Sequence, residues 1–252
     1  MMPEGGQTAG RAPAWWRQAV QRYYRGRPEW IDGNQELAAL IRAYIPLSSR
    51  ILELGPGPQP TQTTALLRER ADRLTGLDID PEARSNRMLD GIEIYDGGRF
   101  PFGDGSFDAV VADYVLEHVR DPLSLCREVS RVLGPGGVFV FRTPNRWHYV
   151  GLSARWLSDR FAARLRRCGE RGGRIYSKYY RMNTPRKVRL LLRSAGLEPL
   201  QLRLIEKEPS YAMTSRALFY VCMWYERVVN STELLAGLRA NMLCVARRGD
   251  SS

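Results

Sequence analysis

One pattern recurs between Arg50 and Arg142: a short apolar run, a turn, then a stretch whose apolar positions fall three and four apart. The runs are residues 50–54 (RILEL), 74–78 (LTGLD), 92–95, 107–112 (FDAVVA) and 137–142 (GVFVFR). They are apolar on both faces, which predicts parallel strands covered on two sides. The intervening helices are expected at 61–71, from Pro81 onward, and at 122–133. Strands alternating with helices predict a doubly wound α/β sheet. Upstream, 14–24 reads as a helix carrying Trp15, Trp16, Tyr23 and Tyr24, interrupted by Gly26 and Pro28. A second helix over 34–44 places Leu37, Leu40, Ile41 and Tyr44 on one side, with Asn34 as its cap and Pro46 as its stop.

Downstream the pattern loosens. Residues 143–180 are rich in Trp, Arg and Gly and read as an insertion over the carboxyl edge of the sheet. A helix at 185–195 ends at Gly196, which suits a left-handed cap. Residues 197–205 and 241–247 are strand-like. If they pair at the end of the sheet, 211–238 is a mostly helical excursion between them, with Tyr220, Met223, Trp224 and Val228 at helical intervals. The expected division is a helical segment at 1–46, a core at 47–145, a lid at 146–183 and the C-terminal part of the sheet at 184–252.

Composition changes this picture little. At 252 residues, 44% hydrophobic and 26% charged, the chain suits one α/β domain with a modest appendage. No run reaches the roughly 18 apolar residues of a membrane span, and the first eleven residues lack a secretory h-region. A cytoplasmic location is expected. The formal charge of +11 comes almost wholly from arginine, the lysines being Lys178, Lys187 and Lys207. Such a surface attracts anionic lipid headgroups, phosphorylated substrates or nucleic acid, so peripheral contact with an anionic membrane is one expectation. Cys126, Cys168, Cys222 and Cys244 form no CxxC pair. Cys126, Cys222 and Cys244 sit among apolar neighbours and read as buried thiols; Cys168 lies in an Arg-rich stretch that would depress its pKa. No metal site is expected.

The chemistry begins at Ile51-Leu52-Glu53-Leu54-Gly55-Pro56-Gly57-Pro58. A glycine turn after the first strand lets a ligand approach the backbone, although a tight strand-to-helix turn alone would need the same glycines. Asp78 ends the second strand, where a carboxylate can accept bonds from both hydroxyls of a ribose; Asp80, before Pro81, suits helix capping. These two elements serve a dinucleotide equally well.

A third element separates the alternatives. Phe100-Pro101-Phe102-Gly103-Asp104-Gly105-Ser106-Phe107-Asp108-Ala109-Val110-Val111, then Leu116-Glu117-His118-Val119-Arg120-Asp121-Pro122, resembles the class I S-adenosylmethionine-dependent methyltransferases, in the branch that includes the ubiquinone and menaquinone biosynthesis methyltransferases. Arg131-Val132-Leu133-Gly134-Pro135-Gly136-Gly137 matches that family's turn into the fifth strand, so the resemblance spans about 50–145. It implies a Rossmann-like, mostly parallel seven-stranded sheet with N-terminal helices and a lid after strand five. It also implies S-adenosylmethionine as cofactor. By position, Glu53, Gly55 and Gly57 would lie beneath the cofactor's amino-acid portion, Asp78 on the ribose and Ile79 beside the adenine. Asp96 would bond the adenine amino group with Gly97 beside it, and Asp113 and Tyr114 would face the methionine end. Pro56, Pro58 and Pro60 depart from the family's loop; they remove N–H donors and stiffen it.

Methyl transfer from a sulfonium needs no protonation of the leaving group, so a base is required only for a hydroxyl nucleophile. The two histidines are the candidates: His118 at the helix start after strand four, where it could equally be structural, and His148 after strand five. Trp147, Tyr149, Trp156, Tyr176, Tyr179 and Tyr180, with Arg155, Arg160, Arg164, Arg166 and Arg167, would form a lid suited to an anionic group on a greasy or ring-bearing acceptor. The expected activity is methylation of a small-molecule, lipid or glycan acceptor, at oxygen rather than carbon or nitrogen, releasing S-adenosylhomocysteine. An RNA methyltransferase is the rival; Asp113-Tyr114-Val115-Leu116 stands where base-amino methyltransferases carry Asn/Asp-Pro-Pro-Tyr. An inactive binding scaffold and a dehydrogenase are the remaining alternatives.

Overall fold

The computed structural model describes residues 12–148, 177–209, 212–213 and 215–249. The chain divides into two compact units. The larger comprises Asn34–Arg146, Tyr176–Leu204 and Asn241–Ser252; the smaller comprises Met1–Gly33, Trp147–Ile175 and Ile205–Ala240.

The larger unit is built on a seven-stranded sheet in the order β3-β2-β1-β4-β5-β7-β6. The strands are β1 (Ser49–Leu54), β2 (Ala71–Asp78), β3 (Gly91–Ile94), β4 (Phe107–Asp113), β5 (Leu133–Pro144), β6 (Leu197–Ile205) and β7 (Asn241–Arg248). The first five pair in parallel and β7 runs antiparallel to β5. Strand order reverses between β1 and β4, and that switch point opens a crevice at the strands' carboxyl ends. The apolar runs do what their two-sided pattern predicts. Leu52, Val110, Ala112, Phe139, Phe141, Cys244 and Ala246 belong to one buried cluster with residues of the covering helices.

Helices α2 (Gly33–Tyr44), α3 (Gln62–Arg70), α4 (Pro122–Val132) and α5 (Pro185–Ser194) cover the sheet's connections. Their starts follow simple capping chemistry. Thr61 accepts from Thr64 N–H in a capping box, Asp121 from Ser124 N–H, and Thr184 from Lys187 N–H, with proline in the first turn of α4 and α5. Gly196 follows α5 at φ +76°, as the sequence predicts.

Two expectations change. The segment opening at Pro81 is a short 3-10 helix, Pro81–Ser85, and does not continue as an α-helix. Asp80 caps it through Glu82 N–H, but the Leu74 N–H donates to the Asp90 carboxylate at 2.7 Å and Asp90 N–H to the Leu74 carbonyl at 2.8 Å, drawing the chain back to the sheet at once. Strand β5 starts four residues early, because its glycine turn is accommodated as a register break opposite Phe107–Ala109. The lid expected at 146–183 falls mainly on 149–176, outside the described residues, as do Tyr149, Arg155, Trp156, Arg160, Arg164, Arg166, Arg167, Cys168 and Tyr176.

In the smaller unit, α1 (Ala14–Val20) runs into a π-helical turn, Gln21–Arg25, closed by Gly26 N–H on the Gln21 carbonyl at 2.8 Å. Helix α6 (Arg216–Asn230) and a 3-10 turn (Glu233–Leu238) form the excursion before β7. Trp16, Val20, Tyr24, Phe219 and Cys222 make its core. The Tyr24 hydroxyl donates to Glu226 Oε2 at 3.2 Å, and burial with that carboxylate holds the phenol protonated.

Candidate functional site

A cleft of about 800 Å³ lies at the carboxyl ends of β1, β2 and β4, lined by Gly55, Asp78, Ile79, Asp96, Gly97 and His118 among others. Each lining residue follows from its strand. β1 ends at Leu54, and the chain turns through Gly55 and Gly57 at φ +64° and +65°, conformations a side chain resists. Gly55 N–H donates to the Leu77 carbonyl at 2.9 Å, so the turn is pinned to β2. Gly57 N–H donates to Asp78 Oδ2 at 3.0 Å, and Asn86 Nδ2 donates to the Gly57 carbonyl at 3.2 Å. The flanking prolines therefore spare both loop donors in use, Gly55 N–H and Gly57 N–H. Leu89 and Pro56 together explain Gly76: a Cβ there would stand 2.7 Å from Leu89 Cδ1 and 3.0 Å from the Pro56 ring.

Asp78 closes β2 with its carboxylate held by two backbone donors, Gly57 N–H and Asp80 N–H (2.9 Å to Oδ1). Ile79 follows it, half exposed over the cleft. After β3, Asp96 turns the chain, its Oδ1 accepting from Gly98 N–H at 3.0 Å, and Gly97 sits at φ +95°. Beneath the glycine turn Glu53 is buried. Its Oε1 accepts from the Thr64 hydroxyl at 2.9 Å, while Oε2 finds no hydrogen-bond partner among the described residues. Desolvation pushes its carboxyl up to about 7.

His118 ends a 3-10 turn, Leu116–His118, after β4 and faces the same cleft. Its Nδ1 lies 3.1 Å from the Ser177 carbonyl. A carbonyl only accepts, so Nδ1 carries the proton and Nε2 is the basic nitrogen of the neutral ring. Next to it Glu117 is buried, its carboxyl pushed up to about 7 by desolvation. The Glu117 carbonyl accepts from Tyr179 N–H at 2.7 Å and Tyr180 N–H at 3.2 Å. That brings Tyr179 and Arg181 to the cleft wall, where Tyr95, Arg120 and Asp121 also stand.

Of the expected residues in the larger unit, Glu53, Gly57, Asp113 and Tyr114 are not among those lining the cleft. Asp113 is gripped by Arg142, Nε to Oδ1 and Nη2 to Oδ2, each at 2.7 Å, and accepts from the Thr63 hydroxyl at 2.8 Å. Tyr114, at φ +58°, lies under the Arg142 guanidinium and donates to Asn241 Oδ1 at 3.2 Å. Neither lines the cleft, because the bidentate pair holds both on the side of β5. His148 is buried in the smaller unit with Nε2 3.1 Å from Glu206 Oε2. Tyr95, Arg120, Tyr179 and Arg181 were outside the sequence expectation for the cofactor site. Tyr95 was within reach of it, being next to Asp96; the Tyr179 and Arg181 positions depend on a contact across some sixty residues that no local pattern encodes.

An open α/β sheet with a glycine turn after β1 and a carboxylate at the end of β2 defines a nucleoside-binding protein of the doubly wound class. Comparison with known proteins narrows this. The profile of a family described as "Methyltransferase domain" matches residues 21–202. The chain belongs to that family, the class I S-adenosylmethionine-dependent methyltransferases. It is 37% identical over 113 residues to a ubiquinone biosynthesis O-methyltransferase of Ralstonia nicotianae, a stretch covering 44% of each protein. The chain thus spans less than half of that relative's length. A ubiquinone biosynthesis O-methyltransferase of Bordetella avium is 30% identical over 192 residues, 73% of each chain. Among solved structures, the methyltransferase in complex with the Trm112 methyltransferase activator of Haloferax volcanii superposes with a TM-score of 0.59 at 18% identity, over 95% of this chain and 96% of that one. This last likeness concerns the fold.

S-adenosylmethionine is the cofactor of the class, and the cleft's chemistry suits it. Two carboxylates, Asp78 and Asp96, offer acceptors to hydroxyl and amino groups. No heavy atom lies within 4 Å of where a Cβ on Gly57 or Gly97 would stand, so a ligand can reach the backbone at both.

Proposed function

We propose that this chain methylates a hydroxyl group of a small-molecule acceptor that carries an anionic group, releasing S-adenosylhomocysteine. The observation that carries this reading is one cleft lined by Gly55, Asp78, Ile79, Asp96 and Gly97 and also by His118, Arg120, Tyr179 and Arg181. When bound, S-adenosylmethionine supplies a methyl group on a sulfonium whose sulfur departs neutral. On this reading Glu53, Gly55 and Gly57 support the amino-acid end, Asp78 accepts from the ribose hydroxyls, Ile79 covers the adenine, and Asp96 with Gly97 receives its amino edge. Asp113 and Tyr114 position the sheet edge, and the second candidate base, His148, belongs to the smaller unit. His118 is the base: its Nε2 removes the acceptor's hydroxyl proton. Arg120 and Arg181 recognise the anionic group. Arg181 is preorganised for this, donating to the Arg120 carbonyl at 2.8 Å and stacking 5.8 Å over Tyr179.

Calorimetry with S-adenosylhomocysteine tests the reading. Wild type binds, and Asp78→Asn weakens binding by roughly tenfold or more, the scale of one charge-assisted hydrogen bond. His118→Ala retains that affinity but loses methyl transfer from labelled S-adenosylmethionine to hydroxylated aromatic carboxylates. Absence of any binding heat for wild type would remove the enzymatic reading; normal turnover in His118→Ala would remove the base.

A further inference from the structure

Helix α6 is apolar on two opposite faces. Phe219, Cys222 and Val229 are buried in the core of the smaller unit. The other side presents Ala217, Tyr220, Val221 and Trp224, the last three 46%, 63% and 68% exposed. A surface helix ordinarily turns charge outward and buries one stripe. Here the outward stripe is aromatic and aliphatic, and it extends to Leu234, 93% exposed in the 3-10 turn that packs on α6.

Arginines flank this stripe. Tyr23 meets Tyr220 edge-on at 6.1 Å, with the Arg22 guanidinium 5.4 Å over the Tyr23 ring. Arg216 opens α6 and lies 5.9 Å over Trp15. Both arginines are exposed, and neither forms an ion pair with a described residue. Glu233, in the 3-10 turn after α6, is paired with Arg239 at 2.8 Å. The fifteen residues of α6 extend about 22 Å, short of the roughly 30 Å of a hydrocarbon layer. Among the described residues no helix is long and apolar enough to cross a membrane.

We propose that this face docks on an anionic phospholipid surface. Tyr220, Val221, Trp224 and Leu234 enter the boundary between headgroups and acyl chains, where aromatic side chains bury an apolar body beside a wet layer. Arg22 and Arg216 meet the lipid phosphates. The charge chooses this occupant. Pairing the face with a second copy would bring the same arginines of two chains, each of formal charge +11, towards one another, whereas an anionic lipid layer complements them.

Flotation of the full chain, saturated with S-adenosylhomocysteine, on vesicles of phosphatidylcholine with or without phosphatidylglycerol decides the matter. Wild type floats with the anionic vesicles, and the bound fraction falls steeply between 50 and 500 mM salt. Val221→Ser/Trp224→Ser lowers partition by roughly tenfold or more through lost apolar burial. Arg22→Gln/Arg216→Gln lowers it by roughly tenfold or more at low salt and flattens the salt dependence. All these residues are exposed, so unchanged S-adenosylhomocysteine affinity and circular dichroism certify the fold of each variant. No flotation on anionic vesicles, or equal flotation of all variants, overturns the proposal. So does a dimer seen by light scattering that Val221→Ser/Trp224→Ser converts to monomers, which gives the face to a second copy.

Discussion

Glu53 and Glu117 bring two carboxyl groups into the interior at the ends of neighbouring strands, and burial raises both from an ordinary 4.5 to about 7. The folded state therefore holds protons that the unfolded chain has released between those limits. Stability contributed in this way is fully present below about pH 4.5 and declines as pH rises through 7. For either group the span corresponds to roughly 3 kcal/mol at most. Urea unfolding of wild type should accordingly give a stability that falls from pH 5 to pH 8. Glu53→Gln and Glu117→Gln, which keep the Thr64 and Thr143 hydroxyls bonded, should each flatten that fall. A profile as steep in both variants as in wild type would mean that these carboxyls ionise as they do in water. Glu53 was legible in the sequence as part of a glycine turn. Its burial was not, because the Thr64 hydroxyl that covers it comes from the following helix.

At the level of elements, β4 and β5 are joined beyond their backbone ladder by Asp113 and Arg142, registered opposite one another and nearly buried, at 18% and 6% side-chain exposure. Arg142→Met leaves the Asp113 carboxylate without its cation, and breaking such a pair costs about 3 kcal/mol or more. Asp113→Asn/Arg142→Met removes the stranded charge and should recover a good part of that loss, a coupling that a double-mutant cycle in urea measures. Additive losses would show that the pair does not act as a unit. The strands themselves could be read from the sequence because burial on both faces leaves an uninterrupted apolar signature. Asp78 was readable for a related reason, since it sits where a strand stops; Ile79, Asp96 and Gly97 came from the family resemblance, and the structure shows them along the same edge of the sheet. Asp113 was placed by the family resemblance, and the structure adds what the resemblance does not carry, its bidentate pair with Arg142 on the neighbouring strand. The expected helix after Asp80 stays short because Asp90 closes on Leu74. The left-handed backbone of Tyr114 has no local signal, and its contacts with Arg142 and Asn241, far along the chain, help hold a tyrosine there.

For the molecule as a whole, the excess of 38 lysines and arginines over 27 acids is a source of self-repulsion as well as an attractor of anions. Several described ion pairs are too exposed to offset it. Arg50–Asp108 and Arg193–Glu198 keep about half or more of each side chain in solvent, a setting in which a pair contributes at most about 1 kcal/mol and weakens with salt. Raising salt thus has two opposed effects: it loosens these pairs and it screens the repulsion among the unpaired arginines. The charge excess makes repulsion the larger effect, because it acts over the whole surface while the screening length shrinks from about 30 Å at 10 mM to about 3 Å at 1 M. The melting temperature should therefore rise between 10 mM and 0.5 M sodium chloride, by about 2–4 °C for each kcal/mol of repulsion removed in a chain of this size. Substituting Arg22 and Arg216 by glutamine should shrink that rise, since neither is paired with a described residue and both add to the positive charge. A melting temperature that instead falls with salt would mean that the ion pairs outweigh the excess, and that the basic charge is held in compensated clusters instead of being spread over the surface.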